Sequence, residues 1–191
     1  MKQILIFPHE KLRLISSQVK TVDHHLTKLL KDMQKHLVGK NVGVGLAAPQ
    51  LGINQRVFAL YLPNKQKENQ LTLQFFINPT IVNQSSQLTL GVDKKDDLEG
   101  CLSIPKIYAP VWRPEWLELS YQQIKDGQWQ TYHQRFTGFA ARVIAHEYDH
   151  LQGILFIDHV FSQGTTLYLE NNQGKLEPIT REDLFAIFGK F

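Results

Sequence analysis

The segment GFAARVIAHEYDHLQG, residues 138–153, restricts this chain more than any other stretch. Its alanines, with Val143, Ile144 and Leu151, favour a helix, and Gly153 is a suitable C-terminal stop. On that helix His146 and His150 stand four residues apart, so both imidazoles leave the same face. Glu147 lies about 100° round the axis from His146 and can lean toward the same point. This pattern places two metal ligands and a general base on one turn. The plainer reading is a pair of histidines that hydrogen-bond to their neighbours. A hydrolytic ion needs a third protein ligand and a position left for water, so the rest of the chain decides between the two.

The candidates for that ligand are Cys101, His159, His133 and several carboxylates. Cys101 is the strongest on chemistry, because thiolate binds Zn²⁺ or Fe²⁺ well and metal contact keeps it deprotonated. It sits in Glu99-Gly100-Cys101-Leu102-Ser103-Ile104-Pro105, which has the composition of a shaped turn. A lone cysteine can instead be a small buried hydrophobe. It can also be a nucleophile with one histidine as base, but that leaves the second histidine without a task. With one cysteine a disulfide within the chain is excluded, and a reducing compartment is favoured.

Elsewhere the sequence reads as a mixture of helix and strand. Val22, Leu26, Leu29, Leu30, Met33 and Leu37 share one helical face between Thr21 and Lys40, with Thr21 as N-cap and Gly39 near the end. His24, His25 and His36 are expected to be solvated. RVFALYL (56–62) and LQFFINPTIV (73–82) have strand composition, with a polar loop between them. Residues 111–124 and 128–136 flank Asp126-Gly127, a strong hairpin signal. ILFIDHVF (154–161) continues as an apolar stretch, 166–170 reads as a strand, and 181–191 as a final helix with Leu184, Phe185 and Phe188 inward. Strands that precede a late helix predict an α+β fold instead of alternating βαβ units.

The chain has 191 residues, 42% hydrophobic and 20% charged. This predicts one domain over residues 1–191 with a sizeable core, and no linker-like stretch divides it. The net charge of +3 is mild and unclustered, which argues against DNA as a partner. The apolar run in MKQILIFPHEKLRL is too short for a secretory signal, and no stretch approaches a membrane span. The expectation is a cytoplasmic protein with no membrane association.

Three segments then align with a known pattern. GVGLAAPQ (43–50), EGCLS (99–103) and HEYDH (146–150) resemble, in order, the three signature motifs of peptide deformylases. ILIFPHEKLRLISSQV (4–19), VWR (111–113) and HLQGILFID (150–158) are similar to that family as well. The likeness runs to about Asp158. It departs at Ala145, where the family usually has Gln, and residues 63–72 look long beside shorter members.

The resemblance implies antiparallel sheets packed around a central helix that carries HExxH. It implies Cys101, His146 and His150 as ligands of one divalent metal ion, Fe²⁺ in cells, with Zn²⁺ or Ni²⁺ able to occupy the site. It makes Glu147 the catalytic carboxylate, and Gln50 and the Leu102 N–H the donors to the developing oxyanion. Substrate backbone would pair with Val44, Gly45 and Gly100 like an added strand, and Gly43 with Gly45 would allow close approach. The methionine side chain would enter an apolar pocket lined in part by Val143; the role of Arg142 is open. The implied reaction removes the formyl group from N-formylmethionyl nascent peptides, which suggests transient ribosome association. A zinc endopeptidase and a non-enzymatic relative that uses metal as a staple are the other readings.

Overall fold

The computed structural model describes residues 3–37, 44–63, 70–90 and 98–189. Gly39, Lys40, Gly43 and most of the loop between the first two expected strands lie outside them. The first helix, α1, spans His24–Leu37 and buries Leu26, Leu29, Met33 and Leu37. Thr21 is not its cap. Asp23 takes that place, its Oδ1 accepting the Leu26 N–H at 2.9 Å, because a carboxylate at this position satisfies an amide left open at the helix start.

A five-stranded antiparallel sheet runs β1 (Gly45–Ala47), β2 (Val57–Pro63), β3 (Leu71–Gln84), β8 (Trp116–Lys125), β9 (Gln128–Thr137) in spatial order. The expected hairpin is β8–β9, closed by Asp126 and Gly127 at φ 51° and 77°. The expected strand over 111–124 is two strands. Trp112–Pro114 (β7) pairs with Leu88–Leu90 (β4), and the chain then changes sheet before Trp116.

Both faces of the five-stranded sheet are covered. Along β2 the side chains alternate: Val57 and Ala59 join the apolar cluster that includes α1, whereas Phe58 and Leu60 join the one that includes the HExxH helix. That helix, α2, spans Gly138–Leu151 and carries both histidines as expected. Ala141, Ile144, Ala145 and Leu151 pack with Phe76, Leu117, Leu119 and Phe136. Ala145 therefore belongs to this core.

A second sheet runs β11 (Leu176–Ile179), β10 (Leu167–Glu170), β6 (Ile104–Ala109), β5 (Glu99–Cys101). Its core includes Ile104, Ile107, Phe156, Ile157, Val160 and Leu184. The apolar stretch after α2 is a helix, α3 (Phe156–Gln163), and the last helix, α4, covers Arg181–Phe188. Gly153 has φ 71° just past α2, and an added Cβ would run into the Arg13 carbonyl. Only glycine suits both the conformation and the contact. No described helix is long and apolar enough to cross a membrane.

Phe76 is fully buried, stacked 4.9 Å from Phe58 and packed on Tyr121 and Phe136. Phe76→Ala is expected to lower unfolding free energy by about 3–5 kcal/mol, read from urea melts with an unchanged slope. A loss below about 1 kcal/mol would mean this cluster is not the core that holds α2 to the sheet.

Candidate metal centre

Strand β5 ends one sheet and β1 ends the other, and α2 lies across the gap between them. This brings Cys101 from β5 to the two histidines of α2. The Cys101 Sγ and one nitrogen of each imidazole all lie within 4.8 Å of one another. The Sγ is 3.3 Å from His150 Nε2. Among the described residues no other group of three such donors comes together. Of the rival ligands, His133 is exposed on β9, and His159 is held by Asp149 at 2.8 Å.

Glu99 holds His146 from behind. Its Oε2 is 3.1 Å from His146 Nδ1, which leaves Nε2 for the site. Glu99 is itself gripped by Arg113, Nε to Oε1 at 2.8 Å and Nη2 to Oε2 at 2.9 Å. Arg113 also reaches Asp149 at 2.5 Å. Arg142 donates to Glu99 at 3.1 Å, to the Val111 carbonyl at 2.7 Å and to the Thr89 carbonyl at 2.9 Å. Its position, open from sequence, is thus a tie between α2, β4 and β5. Glu99, Arg113 and Asp149 had no assigned role. A carboxylate two residues before a ligand cysteine was their faint sequence signal.

These contacts set the charges. Burial would raise the Glu99 carboxyl, but Arg113 and His146 outweigh it and hold it well below the usual carboxylate range. Burial would likewise raise the Cys101 thiol, yet His150 and His146 beside it bring it down to about 5. Burial would lower the His146 imidazole, but Cys101 and Glu99 together raise it. Burial pushes the Glu147 carboxyl up to about 7 against the two histidines.

The donor set suits a cation: one sulfur readily held as thiolate and two imidazoles, compactly placed. Glu147 supports the same fit. It is 4% exposed and its buried Oε2 lacks any partner among the described residues. A buried carboxyl oxygen without a hydrogen bond is costly and marks a position prepared for another polar group.

Gln50 is fixed from one side. Its Oε1 accepts the Ala47 N–H at 2.8 Å. Its Nε2 is thereby turned toward Cys101 Sγ at 3.4 Å and Ser103 Oγ at 3.2 Å. Beside it opens a cavity of about 570 Å³, lined in part by Val44, Gly45, Gly100, Leu102, Val143 and Glu147. The expected site residues thus all meet at one place. Gly43 is outside the described residues. Val44 differs in one respect: its carbonyl accepts the Tyr61 N–H at 2.9 Å and is already used within the sheet. By the alternation of an antiparallel pair, Gly45 then turns its own amide and carbonyl to the open edge. A Cβ on Gly45 would overlap the Glu147 carboxylate and lie 2.8 Å from Leu60 Cδ2.

Comparison with known proteins agrees with this geometry. The sequence pattern described as polypeptide deformylase matches residues 1–165. A peptide deformylase of Phenylobacterium zucineum is 36% identical over 160 residues, which is 84% of this chain and 88% of that protein. One from Cytophaga hutchinsonii is 33% identical over 186 residues, 97% of this chain and 94% of that protein. Among solved structures, the Met-Ala-Ser-bound class I type b peptide deformylase of Acinetobacter baumannii superposes with a TM-score of 0.70 at 32% identity, covering 83% of this chain and 98% of that one. The peptide deformylase of Thermotoga maritima gives 0.70 at 33% identity, covering 83% and 97%. The chain belongs to the polypeptide deformylase family, metalloenzymes that remove the N-terminal formyl group from nascent peptides.

Proposed function

We propose that residues 1–191 form one catalytic domain in which Cys101, His146 and His150 hold a divalent ion and Glu147 moves the proton during deformylation. The observation that carries this reading is the meeting of that sulfur and two imidazoles beside a buried, partnerless carboxyl oxygen. Fe²⁺ is the occupant proposed in cells, with Zn²⁺ or Ni²⁺ able to use the same donors. When bound, such an ion lowers the pKa of water toward neutrality and polarises a carbonyl oxygen.

The chain's own residues supply the rest. Substrate backbone lies along the open edge of β1 at Gly45 and of β5 at Gly100, so the peptide enters as an added strand. The methionine side chain fills the apolar part of the cavity beside Val143. Glu147, buried beside the three donors, accepts the water proton as oxygen attacks the formyl carbon. The formyl oxygen gains negative charge and accepts hydrogen bonds from Gln50 Nε2 and the Leu102 N–H. Gln50 suits this role because Ala47 has already oriented its amide, so no reorganisation is needed as charge develops. Glu147 then delivers its proton to the departing amine, releasing formate and a peptide with a free N-terminus. Where newly made chains are the substrate, transient association with the ribosome belongs to the same proposal.

Glu147→Ala is expected to retain one metal equivalent while kcat on a formyl-Met peptide falls at least about 100-fold. Metal analysis beside formate release checks it; near wild-type turnover would contradict the assigned base. Gly45→Ala places a methyl group where the Glu147 carboxylate lies. Its kcat is expected to fall about 10-fold or more, with a loss of about 1–3 kcal/mol in unfolding free energy from the crowding at Leu60 and Glu147. Unchanged kcat would mean that this close approach has no catalytic consequence.

A further inference from the structure

Residues 166–189 lie beyond the 1–165 segment that the family pattern matches, yet they bond to the cavity wall. The hairpin β10–β11 extends the second sheet by pairing β10 with β6, Tyr168 opposite Tyr108 and Leu169 opposite Ile107. On β6, Lys106 and Tyr108 alternate with the buried Ile107 and both line the cavity. Each is tied to the hairpin. Tyr108 donates its hydroxyl hydrogen bond to Glu170 Oε2 at 3.0 Å. Lys106 Nζ donates to Asn172 Oδ1 at 3.3 Å. Lys106 has φ 65°, a left-handed conformation that costs an L-residue energy and that surrounding contacts must hold.

The Tyr108 ring lies against Gly100, its cross-strand partner: a Cβ there would come within 2.8 Å of two ring carbons. Gly100 is one residue from Cys101. A peptide paired at that edge puts its formylated end at the reacting groups and its later residues along the Tyr108 and Lys106 wall. A wall fixed before binding spares the ordering cost on association.

We infer that Glu170 and Asn172 are positioning residues that set this wall for the part of a substrate following its formylmethionine. The substrate class is formylated peptides of three or more residues. The inference rests on the deformylase reading of the cavity.

The test is steady-state kinetics of wild type, Glu170→Ala, Glu170→Gln, Asn172→Ala and Tyr108→Phe on formyl-Met-Ala-Ser and on formylmethionine amide. Glu170→Ala and Tyr108→Phe are each expected to raise KM for the tripeptide about 3- to 10-fold, with kcat within about twofold. Asn172→Ala is expected to raise it less. Glu170→Gln, which keeps an acceptor oxygen, should restore most of the loss. Combining Glu170→Ala with Tyr108→Phe should add little to either alone. KM for formylmethionine amide should stay constant throughout. Unmoved tripeptide KM in Glu170→Ala overturns the inference, as does an equal shift on both substrates or a fall in kcat alone. If Tyr108→Phe does not fold, the contrast between Ala and Gln at position 170 decides. Wild type inactive on both substrates overturns the underlying reading as well; an active wild type with unmoved KM overturns this inference alone.

Discussion

Glu99 carries a negative charge inside the protein, and that buried charge joins the site to the fold. Its carboxylate faces the Arg113 fork, the Arg142 guanidinium and the His146 ring at once. Arg113 comes from β7 and both Arg142 and His146 from α2, while Arg113 also pairs with Asp149 of α2, which holds His159 of α3. An isolated buried carboxylate would be strongly destabilising, so β5, β7 and α2 are stable together only with these partners in place. The arrangement that satisfies Glu99 is also the one that aims His146 at Cys101. The contacts that stabilise the buried charge and those that orient the site are thus the same contacts.

The same logic explains how the cavity is bounded. Each sheet offers an end strand, β1 or β5, to the space beneath α2. An end strand exposes unpaired backbone groups, ordinarily a hazard for association. Here the edges flank the cavity, where an extended peptide can use them. Gly45 and Gly100 allow this because neither has a side chain: one space is filled by Glu147, the other by the Tyr108 ring.

Much of the centre was legible in the sequence. The i, i+4 histidines required a single face, and the helix that holds them spans 138–151. Cys101 was the preferred third ligand on chemical grounds and stands beside both imidazoles. The strands read at 56–62 and at 111–124 and 128–136 followed from β-branched and aromatic composition and from Asp126-Gly127; the structure has them at 57–63, 112–114, 116–125 and 128–137. The short strands β4, β5 and β6 were not legible, nor was the break between β7 and β8, because three to six residues carry too little periodicity and their pairing is settled by distant partners. The helix at 156–163 has Phe156, Ile157, Val160 and Phe161 at helical spacing, but two turns directly after Ile154 and Leu155 are too short for periodicity alone to separate helix from strand. Arg113 and Asp149 were invisible as site residues for a different reason: an arginine and an aspartate are commonly surface groups, and only the tertiary structure buries Arg113 against Glu99 and sets Asp149 on its other side.

The account turns on one cation shared by a sulfur and two imidazoles. X-ray absorption at the metal edge of the protein loaded with one equivalent of Zn²⁺ reads that shell directly. It should give one sulfur at about 2.3 Å and two imidazole nitrogens at about 2.0–2.1 Å, with a light oxygen scatterer completing the shell. A shell without sulfur, or one closed by a fourth protein donor, would contradict it.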